Sequence, residues 1–132
     1  MGYPGHVQEY FIGYVYEDAD MLDKAEEHFR YLYNLAPKGD RIATYTWGRC
    51  LIKYNIDINR GMELVDQVIE LVSPEQKRYL VYIYMKGMGY YMQGNYDEAL
   101  QLINRAEEGW VGYYPDLHQL KQKIEQGLFQ SE

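Results

Sequence analysis

The feature that most constrains this chain is the stretch 94–100, around which small and aromatic residues recur at helical spacing. Ala99, Ile103 and Ala106 follow one another at steps of four and three residues, which places them on one helix face. Gly87 supplies a small residue on the segment before the turn. Small residues let two helix backbones approach closely, and larger neighbours fill the groove beside the contact. The stretch therefore predicts two short helices packed tightly against each other.

The same arrangement recurs upstream, so the signal rests on more than one match. Gly13 and Ala25 repeat the separation that Gly87 and Ala99 show, and Pro37 follows where a proline would end the second helix. A further copy between these two has glycine in place of the expected alanine and one extra residue in its turn. The shared positions are Ile12, Gly13, Tyr16, Ala25, Phe29, Leu32 and Pro37; Trp47, Gly48, Leu51, Gly61, Val65 and Val68; and Gly87, Tyr90, Gly94, Tyr96, Ala99, Ile103 and Ala106.

This arrangement resembles the tetratricopeptide repeat, a helix-turn-helix unit of about 34 residues. The resemblance implies one domain over residues 1–132, with repeats at about 6–39, 40–74 and 75–113. It implies an all-α fold, an α-α superhelix (a tetratricopeptide-like solenoid) of about seven antiparallel helices. The exposed end of such a stack needs a capping helix, which we expect at about 115–130. Its apolar stripe would be Leu117, Leu120, Ile124 and Leu128.

Turn and capping signals place the ends of the seven predicted helices. Asp20, Asp40 and Asn95 are expected to cap the second, third and sixth helices through their side chains. Ser73 is expected to cap the fifth helix, with Pro74 in its first turn. The predicted helices cover residues 4–19, 21–36, 41–54, 60–72, 74–93, 96–108 and 116–128.

The charge distribution limits the classes of partner. The net charge is −7, and residues 1–36 carry seven acidic and two basic side chains, whereas residues 37–74 carry five of each. Binding to nucleic acid depends on clustered Lys and Arg, so nucleic acid is not an expected partner. The acidic first repeat is either a solvated surface or a docking surface for a basic partner.

The hydropathy pattern and the single cysteine bear on the compartment. No apolar run reaches the roughly 18 residues of a membrane-spanning helix, and the segment that starts at Met1 lacks the pattern of a secretory signal. Cys50 lies in an apolar helix and is expected to be a small buried residue rather than a reactive thiol. We therefore expect a cytoplasmic protein without direct membrane insertion, or a soluble domain of a larger protein if the chain is a fragment.

Side chains capable of chemistry do not converge in the sequence. His6, His28 and His118 lie in separate predicted helices without zinc-binding spacing. The acidic segment 17–20 is interpreted as an exposed turn, and segment 55–59 as a turn rather than a calcium loop, because the required glycine is displaced. We expect no enzyme activity, no catalytic residue, no cofactor and no metal.

Tyrosine is abundant, with 16 in 132 residues, which is more than the packing pattern requires. In the tetratricopeptide repeat family, the first helix of each repeat lines a concave face that contacts ligands. Tyrosine combines a large apolar area with a polar tip, so such a face suits peptide contacts. The resemblance implies a peptide-binding face made of Tyr10, Tyr14, Tyr45, Arg49, Lys53, Tyr84, Met88 and Tyr91.

Three interpretations of this tyrosine face are open from the sequence: a groove for a peptide, a packed core, or a surface for a homodimer. Members of the family that grip a C-terminal carboxylate carry Lys and Asn where this chain has Tyr10 and Tyr14, so binding of chaperone tails is not expected. The same family members carry basic residues in their third repeat, where this chain has Tyr84 and Met88.

The expected function is that of a non-catalytic protein–protein interaction module, whose partner segment is basic or apolar. Two alternatives are a structural or dimerisation module of a larger protein, and chaperone-like shielding of an apolar client segment. The sequence identifies neither the partner nor the pathway.

Overall fold

A computed structural model describes residues 6–110 and 115–131, and these residues fold entirely into helices and turns. The predicted helix start at residue 4 lies outside them. The fold is all-α, as expected, and no strand occurs in the described part of the chain. The helices are α1 (His6–Asp18), α2 (Leu22–Leu35), α3 (Arg41–Lys53), α4 (Ile58–Glu70), α5 (Lys77–Met92), α6 (Tyr96–Gly109) and α7 (Pro115–Ser131).

The helices stack in sequence as an α-α superhelix. Each helix packs antiparallel to the next one along the chain, and α3 also contacts α5, which in turn contacts α7. Because the short turns between consecutive helices leave no room for a crossing connection, sequence neighbours become spatial neighbours. The helix α7 packs on α6 at the end of the stack, where a capping helix was expected.

The core confirms the register read from the repeated pattern. Ala25, Phe29 and Leu32 are fully buried with residues of α3 in one apolar cluster. Ala99, Ile103 and Ala106 of the last helix pair are equally buried, together with the apolar stripe of α7. A smaller cluster joins the two large ones; it contains Ile52, Met62, Val65 and Met85.

The backbones of α3 and α4 approach each other closely at two glycines. A Cβ atom on Gly61 would lie 2.6 Å from Cγ1 of Ile52 and 2.9 Å from the carbonyl oxygen of Gly48. A Cβ atom on Gly48 would in turn lie 2.9 Å from Cβ of Leu64. The glycine that replaces the expected alanine in the middle repeat therefore permits this approach.

The capping predictions have mixed outcomes. Asp40 caps α3 as expected, since its Oδ2 accepts a hydrogen bond from the Ala43 amide at 2.9 Å. Asp57 caps α4 in the same way, through the amide of Arg60 at 3.1 Å, so segment 55–59 forms a helix-initiating turn. Asn95 precedes α6 at the cap position, as expected, but its side chain makes no capping hydrogen bond.

The prediction that Asp20 caps α2 is wrong. Asp20 has a φ of 60°, in the left-handed region, and the residue that precedes α2 is Met21, which has no side-chain capping hydrogen bond. The turn is closed by backbone bonds instead, including one from the Met21 amide to the Tyr16 carbonyl at 2.8 Å.

The fifth helix starts later than the capping signals predict. The amide of Gln76 bonds to the carbonyl of Ser73 at 3.0 Å, which closes a separate turn, and Gln76 itself is extended with a ψ of 140°. The helix therefore begins at Lys77 and has 16 residues, a length of about 24 Å at about 1.5 Å per residue. Ser73 is not its cap.

Candidate functional site

A groove of about 510 Å³ lies between α3, α5 and α7. Side chains from successive turns of α3 and of α5 form two walls on the same side of the stack. The helix α7 forms the third wall. The groove is lined by Tyr45, Arg49 and Lys53 of α3, by Val81, Tyr84, Met85, Met88, Tyr91 and Met92 of α5, and by Asp116, Gln119, Leu120 and Lys123 of α7.

The structure brings together most of the residues predicted for the binding face. Tyr45, Arg49, Lys53, Tyr84, Met88 and Tyr91 all line the groove, and the two predicted residues of α1 do not. Among the described residues, the backbone of α1 approaches α2 closely and α3 does not come within the same range, so α1 reaches α3 only through long side chains.

Tyr10 does not line the groove, because its side chain is part of the core. It is 7% exposed and belongs to the apolar cluster of α1, α2 and α3. Tyr14 is exposed at one edge, and its ring packs on Phe29 with ring centres 5.4 Å apart. The guanidinium carbon of Arg49 lies 5.6 Å from the centre of the Tyr14 ring, so Tyr14 supports a groove residue without lining the groove.

The tyrosines of the groove divide between floor and walls. Tyr84 is 8% exposed and packs with apolar residues of α6 and α7, so it forms part of the floor. Tyr45 and Tyr91 are half-buried and form walls. The Tyr45 ring lies 4.8 Å from that of Tyr82. The tyrosine face is thus partly packed core and partly the lining of a groove.

The contribution of α7 was missed in the sequence. Its groove residues Asp116, Gln119, Leu120 and Lys123 follow helical spacing beside the buried stripe. That spacing is visible in the sequence and groups the four residues on one side of α7. It does not predict which neighbouring helices that side will face.

A buried ion pair fixes the orientation of Arg49. Its Nη1 donates to both carboxylate oxygens of Glu17, at 2.9 and 3.1 Å, and the Glu17 side chain is only 4% exposed. The interpretation of segment 17–20 as an exposed turn is therefore wrong for Glu17. Burial by itself lowers the pKa of Arg49, but the Glu17 charge and hydrogen bond outweigh it and raise that pKa.

Tyr54 also belongs to this buried polar group. Burial, followed by a hydrogen bond with Glu17, raises the pKa of Tyr54 to about 12, so its hydroxyl stays protonated at neutral pH. The Glu17 carboxylate thus has two partners from the second repeat.

The free charge of the groove is positive. Arg49 is neutralised by Glu17, whereas Lys53 and Lys123 are exposed and form no ion pair with any described residue. The Lys53 ammonium lies 5.5 Å from the centre of the Tyr54 ring, which leaves its charge uncompensated. The carboxylate of Asp116 opposes them on the rim. Two ammonium groups without a carboxylate partner against one carboxylate make this a cationic site on a chain with a net charge of −7.

The described residues provide no group of three His, Cys, Asp or Glu side chains positioned to hold a metal ion. Cys50 is completely buried, as expected, and burial raises the pKa of its thiol to about 12. The neutral thiol is therefore a poor nucleophile. Within the same described ranges, no helix has the length and apolar character needed to cross a membrane.

A scan against protein-family models and a search of curated proteins gave no match to this chain.

Proposed function

We propose that this chain is a tetratricopeptide repeat protein of the cytoplasm that binds a peptide segment of another protein, without catalysing a reaction. The three antiparallel helix pairs, their closing helix and the buried small residues at the repeated positions support the family assignment. The groove between α3, α5 and α7 supports the binding role.

The observation that carries this proposal is the composition of the groove. Its floor is apolar, with Tyr84, Met85 and Leu120 buried. Its walls offer half-buried aromatic rings and the adaptable side chain of Met88. An apolar concave site with a few polar groups is the usual form of a binding pocket. Methionine can adjust its shape to different apolar ligands.

The charges of the groove narrow the chemistry of its ligand. Lys53 and Lys123 favour a segment that has a carboxylate beside its apolar side chains. Arg49 is held by Glu17 and serves mainly as a fixed wall. An apolar segment therefore fits the groove, and a strongly basic segment would meet two ammonium groups there.

Photo-crosslinking tests this function. With a benzoylphenylalanine at position 91, irradiation in a cell extract should attach a partner, and mass spectrometry should identify the attached segment. The same group at position 71 is the control, because Leu71 is exposed at the end of α4 and does not line the groove.

The captured segment is then synthesised and its affinity measured. Tyr91→Ala and Met88→Ala should each weaken binding by roughly 1–3 kcal/mol, as groove anchors do. Tyr31→Ala should leave the affinity unchanged, because Tyr31 is exposed on α2 outside the groove. Equal affinities for all of these variants would reject the groove, and attachment only to a second copy of the chain would indicate a homodimer surface.

A further inference from the structure

The outer face of α1 exposes large apolar side chains. Phe11 is 68% exposed, Val15 48% and Ile12 40%. Phe11 and Val15 are four residues apart and Ile12 precedes Val15 by three, so all three lie on one side of the helix. Gly13, on the opposite side, faces the ring of Phe29 in α2. The exposed side therefore points away from the helix that α1 packs on.

The equivalent side of α3 is buried. Gly13 of α1 and Gly48 of α3 occupy the same position in their repeats. The same separation along the chain makes Thr46, Trp47 and Cys50 the α3 equivalents of the three exposed residues of α1. These are 3%, 9% and 0% exposed. Trp47 and Cys50 share a cluster with residues of α2, and the Trp47 ring lies 4.9 Å from that of Tyr33.

The equivalent side of α5 is buried as well. Gly87 of α5 occupies the same repeat position as Gly13. By the same separation along the chain, Met85 is equivalent to Phe11 and Gly89 is equivalent to Val15. Met85 is buried with Met62 of α4, and a Cβ atom on Gly89 would collide with the same Met62 side chain. In both later repeats, the preceding helix covers this side. On α1 the same side has no helix against it within the described residues.

The charges around this apolar face are acidic. Asp18 follows Val15 by three residues on the same side of α1, and Asp20, Asp23 and Glu27 are exposed on the following turn and on α2. None of these four carboxylates forms an ion pair with a described residue, and Lys24 is the single basic residue in the segment 18–27. A second copy of the chain would bring a second set of these carboxylates to the contact, which like-charge repulsion opposes.

We propose that the outer face of α1 is a docking site for an amphipathic helix of a partner protein. The docked helix would lie as α2 lies on α3, with its apolar stripe on Phe11, Ile12 and Val15. Its Lys or Arg residues would lie beside the acidic turn between α1 and α2. This site is separate from the groove, and it accommodates the basic partner chemistry that the groove does not favour.

A synthetic helix provides a direct test. The probe peptide has the sequence of α2, with Asp23, Glu26 and Glu27 replaced by lysine and a side-chain staple on its outer surface. The matched peptide retains the acidic residues. Titration of the 132-residue chain should show binding of the basic peptide and at least about tenfold weaker binding of the acidic one, because complementary charge favours the basic peptide.

Protein variants assign that binding to the face. Phe11→Ser and Val15→Ser should each lower the affinity for the basic peptide by about tenfold or more, as expected for apolar anchors. Both side chains are exposed, so the melting temperature should hardly change. Leu71→Ser is the matched control for loss of an exposed apolar residue and should leave binding intact. Asp18→Asn combined with Asp23→Asn should reduce the salt dependence of binding.

Four outcomes would overturn the proposal. The first is no binding of the basic peptide up to about 100 μM, which corresponds to a free energy weaker than roughly −5.5 kcal/mol. The second is equal binding of the two peptides. The third is binding that survives Phe11→Ser and Val15→Ser but is lost in Tyr91→Ala, which would place the peptide in the groove. The fourth is a dimer that Phe11→Ser dissociates, because this face would then be a self-association surface.

Discussion

At the residue scale, the ion pair between Glu17 and Arg49 joins the first repeat to the second. The two helices that carry these residues make no close backbone approach, so long polar side chains bridge the space between them. A buried carboxylate is tolerated only with partners, and Glu17 has both Arg49 and Tyr54. This pair determines where Arg49 lies on the wall of the groove.

Removal of one member of the Glu17–Arg49 pair should therefore lower the free energy of unfolding. Glu17→Ala should lower the free energy of unfolding by about 3 kcal/mol, because it leaves the Arg49 charge without its partner. The double variant Glu17→Leu with Arg49→Met should recover much of that loss, since an apolar pair can replace a buried ion pair. Urea denaturation measures both changes.

An exposed ion pair is the control for this prediction. Glu63 pairs with Arg60 on the surface of α4, and Glu63→Ala should change the free energy of unfolding by less than about 1 kcal/mol. If Glu17→Ala were no more destabilising than Glu63→Ala, the buried pair would contribute little to the stability of the fold.

At the element scale, the small residues of the pattern set how closely each pair of helices packs. In the pair α3 and α4, Gly48 and Gly61 face each other. The middle repeat was the weakest match to the pattern because of this glycine, yet the glycine is what the contact requires. Helix ends follow local rules less reliably, since Asp40 caps its helix and Asp20 does not.

Gly61→Ala separates intrinsic helix preference from packing. Alanine favours a helix over glycine by about 1 kcal/mol, so the substitution would stabilise an unpacked helix. Here the new Cβ atom would lie within 3 Å of Ile52 and of the Gly48 backbone, so we expect a net loss of roughly 1–3 kcal/mol. Thermal or urea unfolding gives the sign directly.

Gln67→Ala, on the exposed side of α4, is the control for Gly61→Ala. It should change the free energy of unfolding very little. A stabilising Gly61→Ala would mean that α3 and α4 can separate to accept a methyl group.

At the scale of the whole molecule, α7 has two roles. Its residues Leu117, Leu120 and Ile124 are buried against the last helix pair and complete that part of the core. Its side residues Gln119 and Lys123 form one wall of the groove. The end of the stack and the binding site therefore depend on the same helix.

Deletion of residues 115–132 should affect both. The truncated chain would expose a contiguous apolar surface on α5 and α6, so we expect aggregation or loss of a cooperative melting transition. Light scattering and calorimetry measure these effects. The full-length double variant Gln122→Ala with Gln126→Ala, on the exposed side of α7, should melt like the wild type. A truncated chain that stays monomeric with an unchanged melting temperature would show that α7 is dispensable for the core.

Local spacing in the sequence predicted most of the fold. The seven helices lie near their predicted positions, and most of the repeated small and apolar residues are buried as the pattern requires. Ile12 of α1 is an exception, since it is 40% exposed. Periodicity succeeds here because a helix turns through a fixed angle per residue, so spacing determines which side chains share a face. Six of the eight predicted face residues line the groove for the same reason.

The tertiary structure decided what each face meets. Tyr10 is core because it joins a cluster with residues of α2 and α3, and Glu17 is buried because it pairs with Arg49 of α3. The wall provided by α7 depends on how that helix packs against α5 and α6. These outcomes depend on contacts between residues far apart in the chain, and spacing along one helix carries no information about its neighbour. The sequence by itself therefore determined the helices and their buried sides, whereas the packing of those helices determined the groove.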